Sequence, residues 1–389
     1  MNIQDNKIKI SIVIPCLNEE ETLPFCIREA FQALEDNNVP GEVLIADNGS
    51  TDSSVETALN MGARVVHVPE KGYGNALQGG INEARGEYVL MGDADGSYDF
   101  RDLPKFLQSL ERGNDLVMGC RLPKGGGRIE KNAMPWKHRW IGNPALSFIG
   151  KLFFSSPVDD FHCGLRAFRR QSILALNLQT SGMEFASEMV IKASLNDLKI
   201  TQVPVTLRRD RRSRPPHLRS WRDGWRHLRF MLLYSPLWLF ILPGLILTVF
   251  SLISFLVLLP GPLSINSVNF DVNTLLVMGT MTLVGYQFLA LGVFIKAYAV
   301  TSGLHPRGEI WKKLVRGRIV EWGIIIGLAI MLAGVVWLLM AVLQWKEAGF
   351  GPLSYQESLR MVIPAVIIIG LGVQTMFYGF ALAVLGFKK

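Results

Sequence analysis

The sequence predicts an α/β domain, a mostly parallel sheet with flanking helices, followed by a membrane part. Three observations carry this prediction. Up to about Tyr234, short apolar runs alternate with charged, helix-like segments. Turn-rich polar loops follow several of those runs. Beyond Ser235 the chain changes character, with four apolar stretches at about 237–259, 275–295, 323–343 and 362–387. Each is long enough to cross a hydrocarbon core, which takes about 20 residues.

In chain order, residues 8–14 read as the first strand, ended by Pro15. The loop Cys16-Leu-Asn-Glu-Glu-Glu21 follows, and Thr22 is placed to cap a helix over 23–34. Residues 42–46 form a second strand, which leads into Asp47-Asn-Gly-Ser-Thr-Asp52, a loop of turn formers that ends in a helix start. Residues 64–68 form a third. Lys71-Gly-Tyr-Gly-Asn-Ala comes next, where a lysine and backbone N–H groups at a helix start suit phosphate, and a plain tight turn is the other reading. The apolar run Tyr88-Val-Leu-Met91 is a buried strand that stops at Gly92 and delivers Asp93 and Asp95. A helix over 103–111 and a strand over 116–119 follow, with Arg121 at the strand's end.

In open α/β sheets the C-terminal edge of the strands is where ligands bind. Asp93 and Asp95, one residue apart, are hard oxygen ligands suited to Mg2+ or Mn2+ shared with substrate phosphates. Taken alone, an Asp-x-Asp turn is more often an ordinary polar turn. The formal charge is +7, which points to an anionic partner. Four cysteines show no metal spacing and read as small buried residues of a reducing compartment. The opening runs straight into a strand rather than a signal peptide, and no internal repeat is present.

In order and content these loops resemble the family 2 glycosyltransferases of the GT-A fold, over roughly residues 8–235. The resemblance rests on Ile-Val-Ile-Pro-Cys-Leu-Asn-Glu-Glu, Asp47-Asn-Gly-Ser-Thr-Asp52, the Lys71 loop and Asp93-Ala-Asp95. Gly119-Cys-Arg121, Asp160-Phe-His-Cys-Gly164 and Val203-Pro-Val205 complete it. Within the family the chain looks most like the polyprenyl-phosphate glycosyltransferases, the group that contains dolichol-phosphate mannose synthase. The resemblance implies that Pro15, Asn18, Glu19, Asp47, Asp52 and Lys71 serve the nucleotide, and that Asp93 and Asp95 bind metal and donor diphosphate. It implies that Arg121, Arg139, Asn143, Arg211 and Arg212 meet the acceptor phosphate. Mannose synthases tend to have serine where this chain has Asn143, which turns the reading toward UDP-glucose or a related UDP-hexose, with GDP-mannose still open. In relatives that glycosylate hydroxyl groups an acid near Glu184 acts as base. Here Glu184 is equally readable as a solvated helix-start acid, and Glu188 as a shaping residue.

Residues 207–229 carry nine arginines against two aspartates, with Leu218, Trp221, Trp225, Leu228 and Leu232 at helical spacing. Basic residues and tryptophan on one helix just before an apolar run read as a segment lying on the membrane surface, not as a nucleic-acid tail. Arg211, Arg212 and Arg214 precede Pro215-Pro216 in a loop able to fold over phosphate, and residues 140–154 are a second interface candidate. The expected divisions are a catalytic domain over 1–206, an interfacial segment over 207–235 and a transmembrane part over 236–389. The loop near 260–274 has no Lys or Arg, whereas the loop near 296–321 has six, so the catalytic part and both termini are expected in the cytoplasm.

The expected reaction is inverting transfer of a hexose from a nucleotide sugar to polyprenyl phosphate at a multi-pass cell-membrane protein. A processive polysaccharide synthase is the nearest enzyme alternative. It is disfavoured because Trp136-Lys-His-Arg-Trp140 lacks the Gln of that group's Gln-x-x-Arg-Trp string. A non-catalytic nucleotide-sugar-binding membrane protein is the alternative from another class, and a homo-oligomer is left open.

Overall fold

The computed structural model describes residues 8–213, 220–302, 305 and 318–386. It divides between Met231 and Leu232 into two compact units.

The first unit is built on a seven-stranded sheet. Its strands are β1 (Ile10–Cys16), β2 (Gly41–Asp47), β3 (Arg64–His67), β4 (Tyr88–Met91), β5 (Leu116–Cys120), β7 (Arg166–Arg169) and β8 (Ile200–Pro204). Two short strands, β6 (Arg128–Ile129) and β9 (Thr206–Leu207), pair separately in parallel. The sheet order is β3-β2-β1-β4-β7-β5-β8. All its pairings are parallel except those of β7, which runs antiparallel between β4 and β5. The architecture is the mixed, mostly parallel sheet with flanking helices that the sequence predicts. β1 and β4 are continuous apolar runs because both faces of a central parallel strand are covered.

The flanking helices are α1 (Leu23–Asp36), α2 (Ser54–Asn60), α3 (Tyr73–Glu83), α4 (Leu103–Glu111), α5 (Asn143–Phe154), α6 (Arg170–Leu174) and α7 (Phe185–Leu195). α1 buries Leu23, Cys26, Ile27, Ala30, Ala33 and Leu34, an apolar stripe at helical spacing. All four cysteines are buried and free. α8 (Ser220–Leu233) follows the arginine-rich loop and presents Trp225 to the outside. Trp136, Trp140, Ile141, Phe148 and Leu152 are exposed along α5 and the turn before it, while Ser147, Gly150 and Phe154 face inward.

The structure corrects two local expectations and adds a strand. Pro15 does not end β1: the strand continues through it to Cys16, paired with Ala46 and Asp47 of β2. β4 pairs only as far as Val13, so Pro15 lies beyond that partner's last rung. Thr22 makes no side-chain cap, and its hydroxyl instead donates to Glu19 Oε2 at 3.2 Å. β7 was not foreseen, because its sequence Arg-Ala-Phe-Arg carries charge at both ends.

Among its described residues the second unit contains four helices long and apolar enough to cross a membrane: Leu237–Leu258, Val272–Thr301, Glu321–Glu347 and Tyr355–Leu385. A hairpin joins the first two, Leu263–Ile265 against Val268–Phe270, with Asn266 and Ser267 at positive φ in its turn. Much of the helix surface is exposed apolar side chain, as in Phe250, Ile253 and Leu339. The last two helices approach backbone to backbone at glycine. A methyl group on Gly327 would lie 2.5 Å from the Met376 amide nitrogen and 2.9 Å from the Gly372 carbonyl oxygen. One turn earlier, a methyl on Gly323 meets only the Gly379 Cα at 3.9 Å. Gly327→Ala therefore destabilises the membrane unit by about 1–3 kcal/mol through overpacking, while Gly323→Ala leaves it unchanged. Thermal melting of the two purified variants in one detergent checks this, and equal midpoints would refute the packing.

Candidate functional site

The C-terminal ends of β1, β2 and β4 lie side by side, and their loops build one acidic edge. At the end of β4, a Cβ on Gly92 would stand 2.9 Å from the Phe100 ring and 3.1 Å from Leu165, so only glycine lets the chain turn here. Asp93 follows. Its Oδ1 accepts a hydrogen bond from the Tyr73 hydroxyl at 2.9 Å. The Gly164 backbone stands so close to Asp93 Oδ2 that a Cβ there would lie 2.7 Å away. Asp95 Oδ1 accepts from the Ser97 amide at 2.9 Å, with Gly96 at φ +73° completing the turn. Burial, and then the neighbouring Asp95 charge, push the Asp93 carboxyl up to about 6. Burial and the Asp93 charge likewise raise the Tyr73 phenol, which stays a donor.

The loops after β1 and β2 are knitted together. Asn18, at φ +56°, accepts the Thr51 amide on its Oδ1 at 2.7 Å and gives its own amide to Ser50 Oγ at 3.0 Å. The Glu19 amide donates to Ser54 Oγ at 2.9 Å. Asp52 accepts the amides of Glu20 at 3.2 Å and Ser54 at 3.0 Å. Asp47 is buried and accepts Ser50 N at 3.0 Å, Gly49 N at 3.1 Å and the exposed His67 ring at 3.2 Å. Burial opposes its ionisation, but these donors outweigh burial and hold its carboxyl below the usual value. Asp52 is lowered in the same way, Ser54 being its strongest donor against burial. Lys71 Nζ donates to the carbonyls of Asn48 at 2.7 Å and Gly49 at 3.3 Å, so it braces the Asp47 loop.

Residues 208–213 cross this edge as a strap. Arg208 pairs with Glu29 at 2.8 Å and with Asp99. The Arg211 amide donates to the Asp95 carbonyl at 3.1 Å, and its guanidinium lies 3.7 Å from the centre of the Phe25 ring. The Arg212 guanidinium gathers Asp95 at 3.0 Å, Glu19 at 3.2 Å and Asp210 at 2.6 Å. Ser213 donates to Glu21 through its amide at 3.0 Å and its hydroxyl at 2.6 Å. Arg212 thus sits on the carboxylates of the edge. Arg214, Pro215 and Pro216 lie outside the described residues.

The other expected residues have different surroundings. Arg121 is buried, with Nε and Nη2 on the two oxygens of the buried Asp160 at 2.7 and 2.8 Å. Its Nη1 is 3.4 Å from the Tyr98 hydroxyl, which in turn accepts the Gly164 amide at 2.8 Å beside Asp93. Burial works against the Arg121 charge, and Asp160 outweighs it. Arg139 has local contacts: its guanidinium lies 5.4 Å from the Trp140 ring centre and its buried Nε has no hydrogen-bond partner. Asn143 contacts Met134 at 3.3 Å. Glu184 pairs with Arg226 at 2.7 Å. Glu188 is fully buried, pairs with Lys192 at 2.8 Å and accepts the amides of Gln179 and Thr180, so it anchors the loop before α7.

Sequence reasoning missed Tyr73, Tyr98, Glu29 and Asp99 as members of this network. Glu29 left one trace, a buried charge among the apolar positions of α1. Tyr73 stood inside the Lys71 loop without an assigned role, and the contacts of Tyr98 with Arg121 and of Asp99 with Arg208 join separate segments of the chain.

Models of two families match the chain. Glycosyl transferase family 2 matches residues 11–176, and the glycosyltransferase family 2 C-terminal transmembrane region matches residues 293–386. The low-salt glycan biosynthesis hexosyltransferase Agl6 of Haloferax volcanii is 36% identical over 380 residues, covering 97% of this chain and 89% of that protein. A dolichyl-phosphate hexose transferase of the same organism is 29% identical over 199 residues, 51% of this chain and 82% of that protein. Among solved structures, glucosyl-3-phosphoglycerate synthase from Mycobacterium tuberculosis aligns at a TM-score of 0.45 and 23% identity, over 61% of this chain and 83% of that one.

The Arg121–Asp160 pair makes a prediction of its own. Asp160→Ala leaves a guanidinium buried without its partner and lowers stability by about 3–5 kcal/mol. Replacing both, as Arg121→Met with Asp160→Leu, recovers most of that loss. Denaturant titration followed by tryptophan fluorescence measures both, and a mild single-variant effect would count against the pair.

Proposed function

The chain belongs to glycosyltransferase family 2, and from that premise we propose that it moves a hexose from a nucleotide sugar to the phosphate of a polyprenyl lipid. The observation that carries this reading is the Asp93–Asp95 turn at the sheet edge, in a chain that continues into four helices of membrane-spanning length. The relative that is similar along nearly the whole chain, the membrane region included, is a hexosyltransferase, and a shorter match is a dolichyl-phosphate hexose transferase. The basic residues between 296 and 321, which the structure divides between two helix ends and the segment joining them, favour the catalytic unit on the cytoplasmic side.

In this reading the knitted loops bearing Pro15, Asn18, Glu19, Asp47 and Asp52 receive the nucleotide, and Lys71 keeps the Asp47 loop in shape. Asp93 and Asp95 fit Mg2+ or Mn2+. Two crowded carboxylates favour a cation, and these ions take few protein ligands beside substrate phosphates. Among the described residues no cluster of three His, Cys, Asp or Glu offers a full protein cage. Such an ion would neutralise charge on the leaving diphosphate.

The acceptor asks little of the protein as a base. An alkyl phosphate, by analogy with phosphoserine, has a second pKa of about 6 and is largely dianionic at neutral pH. Glu184 and Glu188 are both engaged in ion pairs, in keeping with a reaction that needs no carboxylate base. What the reaction needs is cations that bring two anions together at the sugar carbon. Arg212 is placed to do this once Asp95 no longer holds it. Arg121 Nη1, which donates to the Tyr98 hydroxyl, has a second hydrogen left for a phosphate, Arg139 has a buried Nε without a partner, and Asn143 lies one helical turn further on. Attack from the face opposite the diphosphate inverts the anomeric centre. The exposed aromatic and aliphatic residues of α5 and Trp225 of α8 suit contact with a bilayer surface.

Purified protein incubated with polyprenyl phosphate and radiolabelled UDP-glucose, GDP-mannose or UDP-N-acetylglucosamine tests the reading. Label enters the lipid phase with one donor, and chelator or Asp95→Ala cuts it by about 100-fold or more. Label in a water-soluble polymer instead would overturn the reading in favour of a processive synthase. The Arg212 contact gives a second expectation. Because its guanidinium and a divalent cation compete for Asp95, Arg212→Ala binds Mn2+ about tenfold more tightly without substrates, while transfer falls. Electron paramagnetic resonance titration of free Mn2+ reads this directly, and unchanged affinity would show that the two do not compete.

A further inference from the structure

The membrane unit answers one of its cations and leaves another unanswered. Arg360 pairs with Asp271 and donates to the carbonyls of Leu258 and Leu259, so its charge is absorbed where two helices end and begin. Lys296 lies in the helix Val272–Thr301, roughly 35–40 Å along it from Asp271. Among the described residues no carboxylate lies within ion-pair distance of its ammonium. Its partner is a ring nitrogen, His305 Nδ1, at 2.7 Å.

The surroundings of this pair are tight. Gly292, one turn before Lys296 on the same helix face, packs against Phe240 and the Ile241 backbone at the start of the first membrane helix. His305 is buried, and its ring stacks on Tyr234 at 6.0 Å between centres and 26° between planes. Burial, then the Lys296 charge, push the imidazole down to about 4, so it is neutral at physiological pH.

An ammonium has three N–H donors, and one goes to His305 Nδ1. The neutral ring then carries its proton on Nε2, a buried atom without a hydrogen-bond partner, with the Tyr234 backbone alongside. Two ammonium protons are left, backed by a positive charge that no acid among the described residues neutralises. A lysine in a membrane helix under these conditions marks a functional position. An anion with several acceptor oxygens completes the set, and the anions that reach this depth of a membrane protein are lipid phosphates.

We propose that Lys296 and His305 form a seat for a lipid phosphate group in the membrane unit, separate from the arginines assigned above to the acceptor. The proposal concerns binding alone and stands whether or not the transfer reaction is as described. Its ligand is a phosphate headgroup, either the monoester of a polyprenyl lipid or the diester of a glycerophospholipid.

The test is native mass spectrometry of the full-length protein in detergent, titrated with phytanyl phosphate or with dioleoyl phosphatidylglycerol, and with phytanol as the phosphate-free control. The wild type holds one more phosphate lipid than Lys296→Met, whose apparent affinity at that step falls about tenfold or more. Lys296→Arg keeps the lipid. His305→Phe, which retains the stacked ring but no nitrogen, loses it. Arg139→Ala retains it, which separates this seat from the proposed acceptor site. Loss confined to phytanyl phosphate identifies a monoester seat, and loss of both lipids a general headgroup seat. If Lys296→Met and His305→Phe bind both lipids with wild-type stoichiometry and affinity, the proposal is wrong. Thermal melting confirms that each variant is folded, and where Lys296→Met is not, His305→Phe against Lys296→Arg decides.

Discussion

Two carboxylates one residue apart, at the end of a buried strand, are the constraint on which the rest of the first unit depends. Like charges this close repel, and burial adds to the cost, which is why Asp93 holds its proton up to about 6. The surrounding chain answers that repulsion from three directions. Tyr73 donates to Asp93 from the start of α3, Ser97 donates to Asp95 from the same turn, and Arg212 brings a full charge from the strap. Remove the Asp95 carboxylate and Arg212 loses its contact with the β4 turn, while Arg211 keeps the Asp95 carbonyl and the Phe25 ring.

The strap depends on the same logic at longer range. Arg208, Arg212 and Ser213 reach Glu29, Asp99, Glu19 and Glu21, acids contributed by α1, the β1 loop and the turn after β4. A partly buried ion pair is worth more than an exposed one because water screens it less. Several together can hold a loop whose composition, rich in Arg, would not order itself. This is an electrostatic closure rather than a packed one, so it can be exchanged for another set of charges without dismantling a core.

The fold was largely legible because its signals are local. Continuous apolar runs bounded by Gly, Asn and Asp marked β1, β2, β4 and β5, and the four membrane helices announced themselves by length alone. β7 was not legible. Its two arginines look like surface, yet Arg166 is fully buried and spends its guanidinium on the carbonyls of Phe161, Cys163 and Ala186. No short-range pattern reports a buried arginine whose partners are backbone atoms from neighbouring segments. The acidic edge was legible as a set of loops, because turn formers after strands are a local pattern. Its wiring was not: the Arg212–Asp95 and Arg208–Glu29 contacts span 117 and 179 residues.

The insertion of β7 also explains where Arg121 must sit. An antiparallel strand between β4 and β5 separates Arg121 from the Asp93 turn by one strand's width, and the segment leading into β7 fills the gap at the sheet edge. That segment supplies Asp160, which fixes the Nε–Nη2 edge of the Arg121 guanidinium, and Gly164, whose lack of a side chain leaves room for Asp93. Tyr98 closes the circuit, its hydroxyl accepting from the Gly164 amide and standing 3.4 Å from Arg121 Nη1. A guanidinium pinned by Asp160 and Tyr98 cannot swing toward a ligand, so whatever it meets must come to a remaining N–H. Arg121 is thus held as a fixed charge by a fully buried acid, whereas Arg212 is held by the partly buried carboxylates of Asp95, Glu19 and Asp210.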